Sequence, residues 1–555
     1  MIKYNPYSYF PIINRGLGIL SNSIDNPILR DSNLRREIIT GSNEERRAVE
    51  TIVSHFKDHV DWIDIIETPV DTWFEEECVI MGSQETYRCV ALPYTRTSRV
   101  YGKFAKGRVN DNEVFIETPS EDTIVFIEYP REHDLAKYVV LELIEKYNVS
   151  AIVFYDKTPG LYRRTVVNYS PLYSFESGSP VPIPIVSVDY DSFRKLLEKG
   201  GYVEIDVKTR MVRNTVGRTV LFGINGGGSG EIHLTAHHDH WFTGFSDNLV
   251  GLAILYRLAS NLKNSWNGPD LVLISYTAEE FGSPGYASWY WSWGSRYYLE
   301  LLEAKNYIEK VVADINIDAI YDYPIEIYGN PVLAKCIDKI SDSKSIYRGF
   351  DNMDFDSYSY SLYGVPSLTL TSIESLKPIY HSNYDDGRGF NYAIIDDTYK
   401  RIVEVMKCIG SNEYSFEAFR KYLINSFGDQ VPLETKTLVT KTISLINNIE
   451  FIREITKQFF TTTYTLGLKQ ESISGIFSDI LFLKKILNNI EEYRGRVVEA
   501  YCLNENILYL NTGGGIDRKE LLPVIINTMI RRTTKHSKKL NDLIYTAINR
   551  MKQCN

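Results

Sequence analysis

The stretch EIHLTAHHDHWFTGFSDNLVGLAILYRLASNL, residues 231–262, decides the fold. It opens with a short apolar run that reads as a buried strand, and from Asn248 to Leu262 its apolar residues recur at helical spacing. Between strand and helix lie His237, His238, Asp239, His240 and Asp247. Outward from it, GRTVLFGI precedes, and DLVLISYT, KVVADINI and PSLTLTS follow, with helical patterns between them. Apolar strand runs that alternate with helices predict a largely buried sheet of mixed direction with helices on both faces, a three-layer α/β/α fold.

The polar residues of this part fall where the strands end. EIHLTA runs into His237, DLVLISYTA into Glu279 and Glu280, DINI into Asp318, and PSLTLTS into a loop that ends Tyr380-His381. Sites in open α/β sheets lie beyond the carboxyl ends of the strands, so these segments can converge although they are far apart in sequence. Histidine and carboxylate ligands without cysteine suit zinc, cobalt or manganese, and several carboxylates around few histidines suit two ions that share a bridge. Each residue alone has a plainer role. His237 or His381 could be an ordinary hydrogen-bonded histidine, Asp247 a helix cap, and the two glutamates acids at a helix start. Asp318 closes an apolar strand and needs a cation or donors even by itself. Their joint order favours a metal site.

Composition sets the outer limits. With 555 residues the chain is too long for one core. Its 61 basic and 71 acidic side chains give a net charge of −10, which argues against a nucleic-acid partner. Six cysteines form no CxxC pair, so neither a thiolate zinc site nor a disulfide framework is expected, and a reducing, cytoplasmic setting is the simpler reading. Cys78 and Cys89 could still bridge a hairpin. The N-terminus lacks the pattern of a signal peptide, and the most apolar window, Lys137 to Tyr155, is broken by Glu142, Glu145 and Lys146, so no membrane anchor is expected.

Taken together and in order, AHHDH…SDN, TAEEFGSPG, NIDA and YHSNYD resemble the signature of the di-zinc aminopeptidase and glutamate carboxypeptidase family. The resemblance implies that His237 and Asp318 bind one zinc, His381 and Glu280 the other, and that Asp247 bridges them across a cis bond to Asn248. It makes Glu279 the general base toward a water held between the ions, and Asp239 a carboxylate that orients His237. Tyr380 is a candidate donor to the oxyanion. The spacing of ten positions from His237 to Asp247 is similar to the branch that contains glutamate carboxypeptidase and the transferrin receptor. That branch implies a division into 1–91, the N-terminal part of the peptidase domain; 92–200, an inserted protease-associated-like domain; 201–397, the catalytic domain; and 398–555, a helical domain that forms homodimers. Expected helices in the last include Tyr399–Ile409, Ser478–Tyr493 and Leu521–Thr534.

The resulting expectation is a di-zinc exopeptidase acting on peptides, with cobalt or manganese as alternative metals. An aminopeptidase is preferred; a carboxypeptidase and a non-catalytic receptor on the same fold are the alternatives. Asp385 and Asp386 could hold an ammonium and Arg388 a carboxylate, so specificity is open. The aromatic run Tyr286–Tyr298, with alternating Trp289, Trp291 and Trp293, is read as packing rather than a pocket.

Overall fold

A computed structural model describes residues 26–425, apart from short stretches of which 168–179 is the longest, together with parts of 449–457 and 497–511. The first half of the chain supplies β1 (Trp62–Met81), β2 (Thr86–Arg88), β3 (Val90–Ala91), β4 (Ser98–Asn110), β5 (Glu113–Ile116), β6 (Thr123–Glu128), β7 (Ala151–Tyr155) and β8 (Ile185–Val188). The second supplies β9 (Tyr202–Ile224), β10 (Glu231–His237), β11 (Asp270–Tyr276), β12 (Val311–Ile317), β13 (Ile325–Gly329), β14 (Ser345–Gly349) and β15 (Ser367–Thr371). All join one sheet, whose main order is β14-β13-β15-β12-β10-β11-β9-β4-β6-β7-β8-β3.

Four neighbours, β15, β12, β10 and β11, run parallel, so their carboxyl ends open on one edge. This is why residues scattered along the sequence can meet. Helices Asn43–Phe56, Val250–Leu262 and Ala393–Gly410 cover one face with a large apolar core, and Trp293–Ala304 and Ser357–Leu362 cover the other. The mixed-sheet, three-layer expectation is met. Helix Asn43–Phe56 starts at Ser42, whose hydroxyl accepts from Glu45 N, while Glu45 accepts in return from Gly41 N at 2.9 Å. The same buried Glu45 also takes bonds from Arg218 N and the Thr277 hydroxyl, which fixes the helix to β9 and the end of β11.

The region expected to be an inserted domain has its own helices, His133–Tyr147 and Tyr190–Lys199, each on its own side of the sheet with a separate core. Strand β9 nevertheless serves both halves: Tyr202–Val207 pair with β4 and Val220–Ile224 with β11. Antiparallel β1 follows β9 from Trp62↔Gly223 to Met81↔Glu204, with irregular register after Val70 and Glu75. Irregularities of this kind bend a ribbon and increase its twist. The pattern around Trp73 and Val79 reads as β-rich; a ribbon of this length follows from pairing, which a single strand does not display.

Helices Ala393–Gly410 and Phe416–Asn425 are present. A short antiparallel pair, β16 (Val497–Tyr501) with β17 (Ile507–Asn511), was not expected from the helical pattern. The expected helices Ser478–Tyr493 and Leu521–Thr534 lie outside the described residues. No helix among the described residues is long and apolar enough to cross a membrane.

Two disulfides are present: Cys78–Cys89, the pair that could bridge a hairpin, and Cys336–Cys408, which the absence of an expected disulfide framework did not foresee. Such bonds persist in oxidising compartments and in hyperthermophile cytosol, so cysteine usage no longer points to an ordinary reducing one. Cys336–Cys408 joins helix Ala334–Ile340 to Ala393–Gly410 across 72 residues. A loop of that length lowers unfolded-chain entropy by the equivalent of about 4 kcal/mol. The Cys336→Ser/Cys408→Ser variant should therefore unfold at clearly lower denaturant than the parent, and the peptide pair should be recovered crosslinked from a non-reducing digest.

Candidate metal centre

Strand β10 delivers His237 to the open edge of the sheet, 1% exposed. Its Nδ1 donates to the backbone carbonyl of Asp239 at 2.9 Å, which leaves Nε2 with a lone pair. That nitrogen lies 3.1 Å from Asp247 Oδ1 and 3.4 Å from Asp318 Oδ1. The second histidine, His381, places Nε2 2.9 Å from Glu280 Oε2 and 3.3 Å from Asp247 Oδ2. Two groups of potential ligand atoms result, His237/Asp247/Asp318 and Asp247/Glu280/His381, with Asp247 common to both. The Asp247–Asn248 peptide is cis, as the family resemblance implies.

Three carboxylates are here brought against two imidazoles. Burial alone would push the His237 imidazole down, but Asp318 and Asp247 drive it well above its ordinary value. His381 behaves likewise: Glu280 and Asp247 overcome burial and lift it to about 9. Asp247 is held below the usual carboxylate range, because its bonds to both histidines outweigh its burial. Glu280 moves the other way, raised by burial to about 7, and its buried Oε1 has no hydrogen-bond partner among the described residues. Imidazole nitrogens and carboxylate oxygens facing one another at this range fit divalent cations of the zinc type.

Around the ligands, backbone amides fix the loops. The Asp239 carboxylate accepts from Glu279 N and Glu280 N, each at 3.1 Å. The residue expected to orient His237 by its side chain does so by its main chain, and its side chain instead places the two glutamates. Asp385 accepts from Ser246 N and Asp247 N. Burial raises its pKa to about 7. Asp385 is thus engaged beneath Asp247, while Asp386 pairs with Arg388 at 2.6 Å, so none of these three residues is unengaged for a substrate terminus. His238 and His240 face elsewhere, toward Ser275 and the Arg36 carbonyl.

Glu279 stands beside the ligands. Its Oε2 is 4.0 Å from His237 Nε2, and burial pushes its carboxyl well above the ordinary range. The Tyr380 ring stacks on His381 at 3.8 Å, and burial followed by the surrounding carboxylates keeps its hydroxyl protonated.

One positioning element gave no sequence signal. The loop that carries Arg163 comes from the expected inserted domain and grips the His381 loop. Arg163 donates to the carbonyls of Tyr380 (2.6 Å) and Pro378 (2.5 Å) and pairs with Asp156, while Arg164 N donates to the His381 carbonyl at 2.9 Å. His381 has a left-handed backbone, φ 53°, which such bonds help to hold. Arg163→Ala should weaken zinc binding at the His381 cluster about 10-fold or more and spare the His237 cluster. Calorimetric zinc titration reads the two affinities separately, and unchanged values would show that the loop holds its shape without Arg163.

Residues 219–406 match the sequence model of Peptidase family M28. Among solved structures, a peptidase M28 precursor from Shewanella amazonensis superposes with a TM-score of 0.54 at 16% identity, over 68% of this chain and 90% of that one. A zinc aminopeptidase from Bacillus subtilis superposes with a TM-score of 0.51 at 15% identity, over 68% and 91%. Likenesses at such identity establish the fold. No curated protein matches the chain by sequence. All five potential ligands fall inside the matched segment, and residues 219–406 of this chain form a domain of peptidase family M28.

Proposed function

We propose that the chain is a metal-dependent exopeptidase, an aminopeptidase in preference to a carboxypeptidase, that takes two divalent ions, zinc first. The observation that carries this reading is Asp247, whose two oxygens face different histidines at 3.1 and 3.3 Å. His237 and Asp318 would complete one ion's ligands and His381 and Glu280 the other's, with cobalt or manganese chemically admissible. When bound, the ions supply Lewis acidity toward a peptide carbonyl and toward water.

The chain's own residues then divide the work. Glu280 is turned to His381, whereas Glu279 is turned aside and can accept a proton from water and return it to the leaving amine. Tyr380, kept protonated beside His381, would donate to the oxygen that gains charge. The preference for amino-terminal trimming is supported by the zinc aminopeptidase from Bacillus subtilis among the structural likenesses.

Digestion of a mixed peptide library, read by mass spectrometry, tests the proposal. Loss of amino-terminal residues is expected, carboxy-terminal loss would select the carboxypeptidase, and metal binding without cleavage would select a receptor-like protein. Glu279→Gln should keep about two metal ions per chain yet lose about 10²- to 10⁴-fold in kcat; a fully active variant would remove Glu279 from the role of base. The homodimer is part of the same proposal, and light scattering should give twice the monomer mass, a monomer refuting it.

A further inference from the structure

The aromatic run leaves one polar residue unexplained. In Trp289-Tyr290-Trp291-Ser292-Trp293, the serine is completely buried in the turn that starts helix Trp293–Ala304. A serine at that position ordinarily caps the helix by accepting from an amide of its first turn. Ser292 makes no such bond. Its hydroxyl points the other way and donates to Glu279 Oε1 at 3.1 Å, leaving Oε2 on the side of His237.

The turn is held as if for that contact. Ser292 N donates to the Glu279 carbonyl at 2.7 Å and Trp293 N to the Ala278 carbonyl at 2.8 Å. Ser292 itself has a left-handed backbone, φ 47°, unusual for a residue with a side chain. Buried Arg296 keeps it there by donating to the carbonyls of Trp289, Trp291 and Ser292, with its guanidinium 4.3 Å from the Trp289 ring and 5.2 Å from Trp293. Gly294 completes the approach, since a Cβ there would meet the Thr277 carbonyl oxygen at 1.9 Å.

We propose that Ser292 is a positioning residue for Glu279, aiming one carboxylate oxygen toward the ion clusters, and that the tryptophan run and Arg296 are the clamp that sets its angle. This rests on Glu279 acting as the base. The alternative is that Ser292 merely stabilises a turn. The two differ in what a substitution does to kcat as against everything else.

Ser292→Gly keeps the left-handed backbone and removes the hydroxyl; Ser292→Asn keeps both the backbone preference and a hydrogen-bond donor. The glycine variant should lose about 10- to 100-fold in kcat with KM, metal content and melting temperature close to the parent's. Asparagine should restore much of the loss. A glycine variant with the parent's kcat overturns the proposal, as does one whose lost turnover comes with lost metal or early melting, or an asparagine variant no better than glycine. Glu279→Gln assayed alongside separates the two readings. If it is inactive while Ser292→Gly is normal, only the positioning role fails; if it is active, the base assignment itself fails.

Discussion

Three carboxylates and two imidazoles are gathered within a few ångströms at the open edge of the parallel strands, and the rest of the structure serves to keep them there. Left alone, the oxygens of Asp247, Asp318 and Glu280 would repel one another and draw protons to the two histidines, as the raised His381 shows. Two further carboxylates oppose this by binding backbone. Asp239 fastens the amides of Glu279 and Glu280, and Asp385 those of Ser246 and Asp247. Neither needs to touch an ion. Each converts a flexible loop into a fixed one, so cations meet a site already arranged for them, which is what electrostatic preorganisation requires.

The same requirement accounts for the long ribbon. The His381 loop follows the last strand of the parallel set, with the Arg163 loop laid against it. Strands β1 and β9, paired through nearly their whole length, carry sheet hydrogen bonding from β11 out to β4 and thereby fix where the Arg163 loop can reach. A module joined by a flexible linker could not hold a grip through main-chain carbonyls, because such bonds weaken steeply with misalignment. The β4–β8 part of the sheet is thus continuous with the site through hydrogen bonding.

Four of the five candidate ligands were legible because each follows an apolar strand or precedes a helix, His381 because it ends the loop after one, and all five because strand direction places such positions on one edge. Helix Tyr190–Lys199 and strand Ala151–Tyr155 were legible for a related reason, their local apolar periodicity. What escaped was set by distant partners. Arg163 and Arg164 look like any surface basic pair until the His381 loop is laid against them. Asp385, as a sequence neighbour of His381, invited an electrostatic role toward substrate, and only the fold shows its oxygens turned under Asp247. Ser292 was hidden by the tryptophans beside it, whose reading as packing gives no sign of the contact the turn makes with Glu279.

Buried acids in this protein, those of the site and those elsewhere, are accommodated in different ways. Asp351 is just as buried, yet the hydroxyls of Ser357, Ser361 and Ser367 all donate to it within 2.7 Å, which is how a structural carboxylate is ordinarily accommodated. Among the described residues Glu280 has no hydrogen-bond partner for Oε1, and Glu279, pushed far up by burial, takes a bond from Ser292 and faces His237 together with Asp318 and Asp356. Leaving acids under-satisfied is unfavourable for stability, and a binding protein could exchange them for neutral side chains. The site as proposed, which would hold cations and then accept a proton, could not. Asp351 is thus accommodated as part of the fold, whereas the Glu279-Glu280 pair is left to the chemistry proposed for it.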